Sequence, residues 1–243
     1  MSAYGTVAAP ANSKTLVPRL FPLPERVRRD QNDERAAVLC VPFGGGQEGK
    51  VSLPTEARQL MADVFNKELE KGVTYPQRGP MSLEEFSTYF CSCELIVGVF
   101  LSAASLPSSL SADQLPSTGQ ALSDPNTLQT LLPSPSQWKE SLALFYYIKP
   151  NYPGRSSHLC NAGFVVPPSN RGLGLGGLAG RSFLHFAPEL GYQGSVFNLV
   201  YENNVASLSI WQRLGFTQVG KIPGAGLLRT ADGKGEEYVD AWV

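Results

Sequence analysis

The chain predicts an α/β fold of the α+β kind, with helices flanking a central sheet. Three observations carry this. Apolar runs of strand length fall at Arg35 to Phe43 and Leu95 to Leu101. Two more, Leu142 to Lys149 and His158 to Val166, are spaced to pair as a hairpin. Between and after them lie segments of helical periodicity, one of which follows a glycine-rich turn.

In the front half, Pro54 to Lys71 reads as a helix with Leu60, Met61, Val64, Phe65 and Leu69 on one face, ended by Gly72. Ser82 to about Phe90 reads as a second. There Ser82 and Glu85 form a capping box, with Met81 and Phe86 as a hydrophobic staple. Ser105 to Ser136 is rich in Ser and Pro, and Asp113 and Asp124 are its only charges. It is too long for a tight connection, so an irregular insertion is expected, and its leucines point to packing against the domain.

In the back half, Ser195 to Tyr201 reads as a buried strand. Asn203-Asn204 then caps a helix bearing Ala206, Leu208, Ile210, Trp211 and Leu214, which stops at Gly215. Phe216 to Gly220 and Glu237 to Val243 read as the last strands. The expected organisation is a flexible arm over residues 1–30 and a single domain over 31–243, carrying the insertion at about 105–136.

Composition bounds the function. A 243-residue chain that is 42% hydrophobic holds a sizeable core. A net charge of −1 gives no electrostatic case for nucleic acid. The apolar run Leu95 to Ala104 is too short to span a bilayer. The basic, Ser/Ala/Pro-containing first 29 residues resemble a transit peptide faintly, but their charges crowd at the far end, which favours a disordered arm. A cytoplasmic protein is expected, with a mitochondrial one as alternative. Cys91-x-Cys93 and His158-x-Cys160 are spaced too tightly for a tetrahedral zinc site, so no metal is expected.

The richest segment is Asn170 to Gly177, after Phe164-Val165-Val166 and before a helix running to about Pro188. A strand, a glycine turn and a helix N-terminus present unpaired N–H groups and the positive end of a dipole to an anion. Gly172, Gly174 and Gly177 fit G-x-G-x-x-G, but a dinucleotide domain needs several βα units downstream, and little chain remains. An ATPase phosphate loop needs Lys then Ser/Thr where Leu178-Ala179 stands. A third pattern, R-x-x-G-x-G, is met by Arg171, Gly174 and Gly176.

In that pattern the segment resembles the acyl-CoA pyrophosphate loop of the GNAT acetyltransferases. The order of elements after it is similar to the C-terminal half of that domain. The strings Gly72 to Gln77, Phe145 to Tyr152, Ser157 to Phe164 and Ser195 to Val200 resemble one fungal branch, the L-azetidine-2-carboxylate (proline-analogue) N-acetyltransferases. The likeness runs from about Pro54 to Leu227.

The resemblance implies a mixed, mostly antiparallel sheet whose strands splay apart around the pantetheine arm of acetyl-CoA, the co-substrate. It implies cofactor contacts at Phe164, Val165, Val166, Arg171, Gly172, Leu173, Gly174, Leu175, Gly176, Gly177 and Asn204. It places Asn161 and Asn198 at the acetyl and substrate site as the catalytic pair, with Phe164 also touching substrate. It also implies a homodimer and direct transfer in a ternary complex; the charge and hydropathy above lead to no expected nucleic-acid or membrane partner.

An amide cannot act as a base, but it orients an amine through its oxygen and an oxyanion through its N–H groups. Many family members carry a tyrosine acid where this chain has Trp211, which is expected to be packing. His158, His185 and Glu202 are the candidate bases, and each has a blander reading as a surface or packing residue. Cys160 is a poor candidate for an acetylated nucleophile. The expected activity is N-acetylation of a small amino or imino acid. A protein-directed acetyltransferase and a non-catalytic acyl-CoA-binding module are the alternatives.

Overall fold

A computed structural model describes residue 10 and residues 14–30, 33–44 and 53–243. In chain order its helices and strands are β1 (Arg19–Pro22), α1 (Glu25–Arg28), β2 (Arg35–Gly44), α2 (Thr55–Lys71), α3 (Leu83–Phe90), β3 (Glu94–Ser102), β4 (Gln120–Ala121), α4 (Pro125–Leu131) and α5 (Trp138–Ser141). They continue as β5 (Leu142–Pro150), β6 (Leu159–Val165), α6 (Leu175–Glu189), β7 (Gly194–Ser195), β8 (Val200–Tyr201), α7 (Val205–Arg213), β9 (Lys221–Arg229) and β10 (Glu236–Trp242).

The main sheet runs β4-β1-β2-β3-β5-β6-β7, antiparallel throughout except where β6 and β7 run parallel. Its central strands are buried on both faces, so successive side chains feed two cores. Leu39, Val97 and Phe145 face α2 and α3, where Phe65, Phe86 and Phe90 pack edge to face and stacked. Val38, Ile96 and Tyr146 face α6, against Phe183 and Phe186. A second sheet, β8-β10-β9, continues the chain beyond the first.

Local signals hold where local chemistry decides. The Ser82 hydroxyl accepts from Glu85 N at 3.2 Å, and the Glu85 carboxylate accepts from Ser82 N at 2.8 Å. Gly72 ends α2 at φ 65°, a left-handed turn open to glycine at no steric cost.

Three expectations are corrected. Residues 19–28 of the expected flexible arm form β1 and α1. Leu20 and Phe21 are fully buried, and β1 pairs with β2. The rest of that arm lies largely outside the described residues. Ser195 to Tyr201 is not one buried strand but two short pairings, β7 and β8, in different sheets. Phe216 to Gly220 is irregular. The ninth strand begins at Lys221 and contains Pro223, Gly224 and Gly226, a composition that masked it. It forms because Thr230, Asp232 and Gly235 close a tight hairpin onto β10.

The 105–136 segment packs as its leucines imply: Leu106, Leu115 and Leu122 are buried in the core beside α2 and α3.

Candidate active site

The site is built where β6 and β7 part. Their ladder holds only at Leu159–Gly194 and Cys160–Ser195, with Val196 N donating to Cys160 O at 2.8 Å. Beyond that point β6 continues to Val165, while the other segment turns away to join β8 and the second sheet. A wedge opens between them, with Asn161 on one wall and Asn198 on the other.

Three amides and a phenol bridge it. Asn151 lies just past the end of β5, tied by its N–H to Leu159 O at 2.8 Å. Its Nδ2 donates to Asn198 Oδ1 at 3.0 Å, and its Oδ1 accepts from Asn198 Nδ2 at 2.6 Å and Asn161 Nδ2 at 3.1 Å. The Tyr152 hydroxyl donates to Asn198 Oδ1 at 3.3 Å. Asn151 is buried. The two asparagines picked out in the sequence are therefore brought together, but through a third that was missed. Its signal was present: Asn151-Tyr152 ends one of the strings that carried the resemblance. Asn161 Oδ1 has no hydrogen-bond partner among the described residues.

Phe164 is placed differently. Alternation along β6 puts it on the face opposite Asn161. Its ring stacks on Tyr146 at 4.9 Å and meets Phe183, Phe197 and Trp211. Phe164 therefore offers the wedge backbone rather than ring, and its carbonyl accepts from the Tyr75 hydroxyl at 2.9 Å. Trp211 belongs to the same aromatic stack, and its Nε1 donates to Ser207 Oγ at 3.0 Å.

The glycine loop enters α6 as expected of an anion cradle. Asn170, buried, pins its start by donating to Leu142 O at 2.8 Å. Gly172 and Gly174 have φ of 80° and 78°. No atom lies within 4 Å of where a Gly172 Cβ would sit, so the backbone there is open to a ligand. Gly176 instead serves close packing, since a Cβ would fall 2.6 Å from Ile210 Cδ1. Leu175 is buried and Leu173 packs against the α6-side core, which anchors the loop. The first N–H groups of α6 lack intrahelical acceptors by geometry. A diphosphate fits this cradle. Val165 is buried, and with Val166 it leads from the wedge to the loop.

Arg171 lies beside the cradle with its guanidinium 2.6 Å from the buried Glu68 carboxylate of α2. Arg26 of α1 donates to the Gly172 carbonyl. Asn204 caps α7, its Oδ1 accepting from Ser207 N at 3.2 Å, while Asn203 donates to Val73 O at 3.2 Å.

The candidate bases fall away from the wedge. His158 is exposed, with Nδ1 3.1 Å from Arg155 O. His185 packs on Phe186, and burial lowers its pKa, with Arg19 adding to the effect. Glu202 pairs with Lys221 at 2.8 Å on the surface. Cys160 is buried, and burial pushes its thiol up to about 12, far from a reactive thiolate. All four cysteines are free thiols. Among the described residues, no helix is long and apolar enough to cross a membrane.

No family model matches the chain. It is 38% identical over 179 residues to N-acetyltransferase aca1 of Schizosaccharomyces pombe, a match covering 74% of each chain. Among solved structures it is similar to a GCN5-related N-acetyltransferase from Kribbella flavida, with TM-score 0.56 and 20% identity, covering 84% of this chain and 94% of that one. It is also similar to a GNAT superfamily phosphinothricin acetyltransferase from Sinorhizobium meliloti in complex with AcCoA, with TM-score 0.53 and 13% identity, covering 84% and 85%.

Proposed function

From the premise that this chain belongs to the GNAT N-acetyltransferases, we propose that it acetylates the amine of a small amino or imino acid, a proline analogue such as azetidine-2-carboxylate. The observation that carries this reading is the amide cluster of Asn161, Asn151 and Asn198 across the wedge. Acetyl-CoA supplies the activated acetyl thioester.

The residues to hold it are the backbone of Phe164 to Val166, the loop Arg171 to Gly177 and the side chain of Asn204. The cradle at Gly172 and the open edge of β6 support that assignment. Leu173 and Leu175 act by anchoring the loop, and Gly174 and Gly177 by letting backbone N–H groups approach phosphate.

Asn161 and Asn198 are the catalytic pair in this reading. Asn161 Oδ1, unpartnered among the described residues, accepts from the acceptor N–H and aims the nitrogen lone pair at the thioester carbon. Asn198 is held rigid by its two-way bond with Asn151, so its ordering cost is met before substrate arrives. Backbone N–H groups of the parted strands stabilise negative charge on the reacting oxygen. None of the candidate bases is bonded into the cluster, so the amine proton leaves to water in this scheme. Transfer is direct, because the one thiol on the wedge strand is buried and protonated.

The resemblance also supports a homodimer. Leu227 and Tyr238, opposed on β9 and β10, expose apolar surface, with Val219 and Ile222 also exposed nearby in sequence, and such surface suits contact with a second copy.

The test is thiol release from acetyl-CoA with azetidine-2-carboxylate, comparing wild type with Asn161→Ala and Asn198→Ala. Release that both substitutions impair supports the reading. A protein that binds acetyl-CoA but releases none with this acceptor rules the acceptor out, and turnover on a peptide amine alone would favour a protein-directed enzyme.

A further inference from the structure

Lys149 stands on β5 directly opposite Asn161 of β6. Opposed residues of an antiparallel pair share a face, their Cβ atoms about 5 Å apart. Its ammonium lies 4.5 Å from the ring centre of Tyr89 and 4.2 Å from that of Tyr147. The side chain is half-buried and has no carboxylate partner among the described residues.

A cation drawn from water onto two aromatic faces recovers part of its hydration through the ring quadrupoles. What it still lacks is an anion. Burial lowers its pKa, opposed by the neighbouring Cys93, and an arriving carboxylate would favour the charged form.

The surroundings are polar and donor-rich. The Tyr89 and Tyr147 hydroxyls are 3.2 Å apart, and Gln77 Nε2 donates to Tyr89 Oη at 3.0 Å. Burial raises the pKa of both phenols, so they stay protonated and able to donate. Gln77 Oε1 is buried with no partner among the described residues. Whichever way that amide is turned, one polar end is left unmatched, a cost that a bound ligand relieves. Across the strand pair, Asn161 Oδ1 is also unpartnered among the described residues. One anion site therefore faces an N–H acceptor across a single strand pair.

A molecule with an amine and a carboxylate on one carbon matches this juxtaposition. We propose that Lys149, framed by Tyr89 and Tyr147, binds the carboxylate of the acceptor while its amine is held at Asn161. This rests on the amino- or imino-acid reading above and deepens it, because it makes the free carboxylate the feature that is selected. A peptide-bonded or esterified acceptor lacks that anion and leaves the Lys149 charge without a partner.

The experiment compares azetidine-2-carboxylate with its methyl ester, which keeps ring and amine but removes the charge. Both are run with wild type, Lys149→Met and Lys149→Arg. The readouts are kcat/KM and calorimetric binding of each acceptor to the CoA complex; acetyl-CoA binding serves as the check on folding.

We expect wild type to prefer the acid by about tenfold or more, as for a charge-assisted contact. Lys149→Met should abolish that preference by raising the KM of the acid far more than that of the ester, with acetyl-CoA binding retained; Lys149→Arg should keep part of it. An unchanged acid-to-ester ratio in Lys149→Met overturns the proposal and leaves the proline-analogue reading standing. Equal use of acid and ester by wild type overturns it without any variant. Turnover of a different amino acid, with the same Lys149-dependent preference, upholds the carboxylate site while the proline-analogue reading falls.

Discussion

Arg171 of the glycine loop and Glu68 of α2 form an ion pair at 2.6 Å between residues 103 apart in sequence. Glu68 is buried, and its Oε1 also takes Lys71 at 2.7 Å. The pair fastens the loop to the helix that backs the sheet, and it holds the Arg171 side chain where a diphosphate must compete for it or share it. Glu68→Gln keeps the shape and removes the charge. The expected result is a loss of about 1–2 kcal/mol in stability, since Arg171 is half exposed and solvent screens the pair. Affinity for CoA should change with little effect on kcat. Denaturation and calorimetry measure both, and a variant identical to wild type in each would show the pair to be idle.

Asn151 supplies the second test. Asn151→Ala strips partners from Asn161 and Asn198 at once, leaving two amide groups to reorganise. We expect kcat/KM to fall by about 10–100-fold, equivalent to about 1.4–2.7 kcal/mol, with stability reduced by about 1–3 kcal/mol. Asn151→Asp tests orientation against bulk, since a carboxylate accepts as before but cannot donate to Asn198. Full activity in Asn151→Ala would remove the cluster from the mechanism.

The glycines of the loop are not equivalent. At Gly174 φ is 78° and an added Cβ would fall 2.7 Å from Pro24 Cγ, whereas at Gly177 the nearest atom is Arg181 Nη1 at 3.7 Å within a helix. Gly174→Ala should cost about 1–3 kcal/mol and weaken CoA binding. Gly177→Ala should raise the stability of the CoA-free protein by up to about 1 kcal/mol through helix propensity. Thermal denaturation of the two side by side decides it, and equal effects would contradict the assigned geometry.

Alkaline pH should destabilise the fold. Burial pushes the Cys40 and Cys160 thiols up to about 12, while an unfolded thiol titrates near ~8.5. Above that pH the unfolded chain releases protons that the folded chain retains. The stability is therefore fully present below about pH 8.5 and is lost as pH rises toward the folded value, by about 1.4 kcal/mol per unit for each thiol. The urea midpoint should fall between about pH 8.5 and 10.5, and the fall should shrink in a Cys40→Ala, Cys160→Ala double variant. A midpoint flat across that range would show that these thiols are not buried as described.

Features legible in the amino-acid order are those set by neighbours within a turn or two. The Ser82–Glu85 box, the Gly72 stop, the β5–β6 hairpin and the glycine entry to α6 each depend on contacts a few residues apart, so their residue types reveal them. The positions of Asn161 and Asn198 were legible too, through strings that resemble a known branch.

Other features depended on which segments met in space. β1 was hidden in an arm of prolines and arginines because its partner β2 lies beyond α1, and pairing, not propensity, makes it a strand. β9 was hidden by Pro223 and its glycines for the same reason. Asn151 meets Asn198, 47 positions away, only through the fold. Phe164 reads as a wall of the wedge until the pleat turns its ring to the other face. Lys149 gains its aromatic frame only where Tyr89 of α3 packs beside Tyr147. Register and packing place these groups because a side chain's direction and partners follow from the whole sheet, which no local stretch of chain encodes.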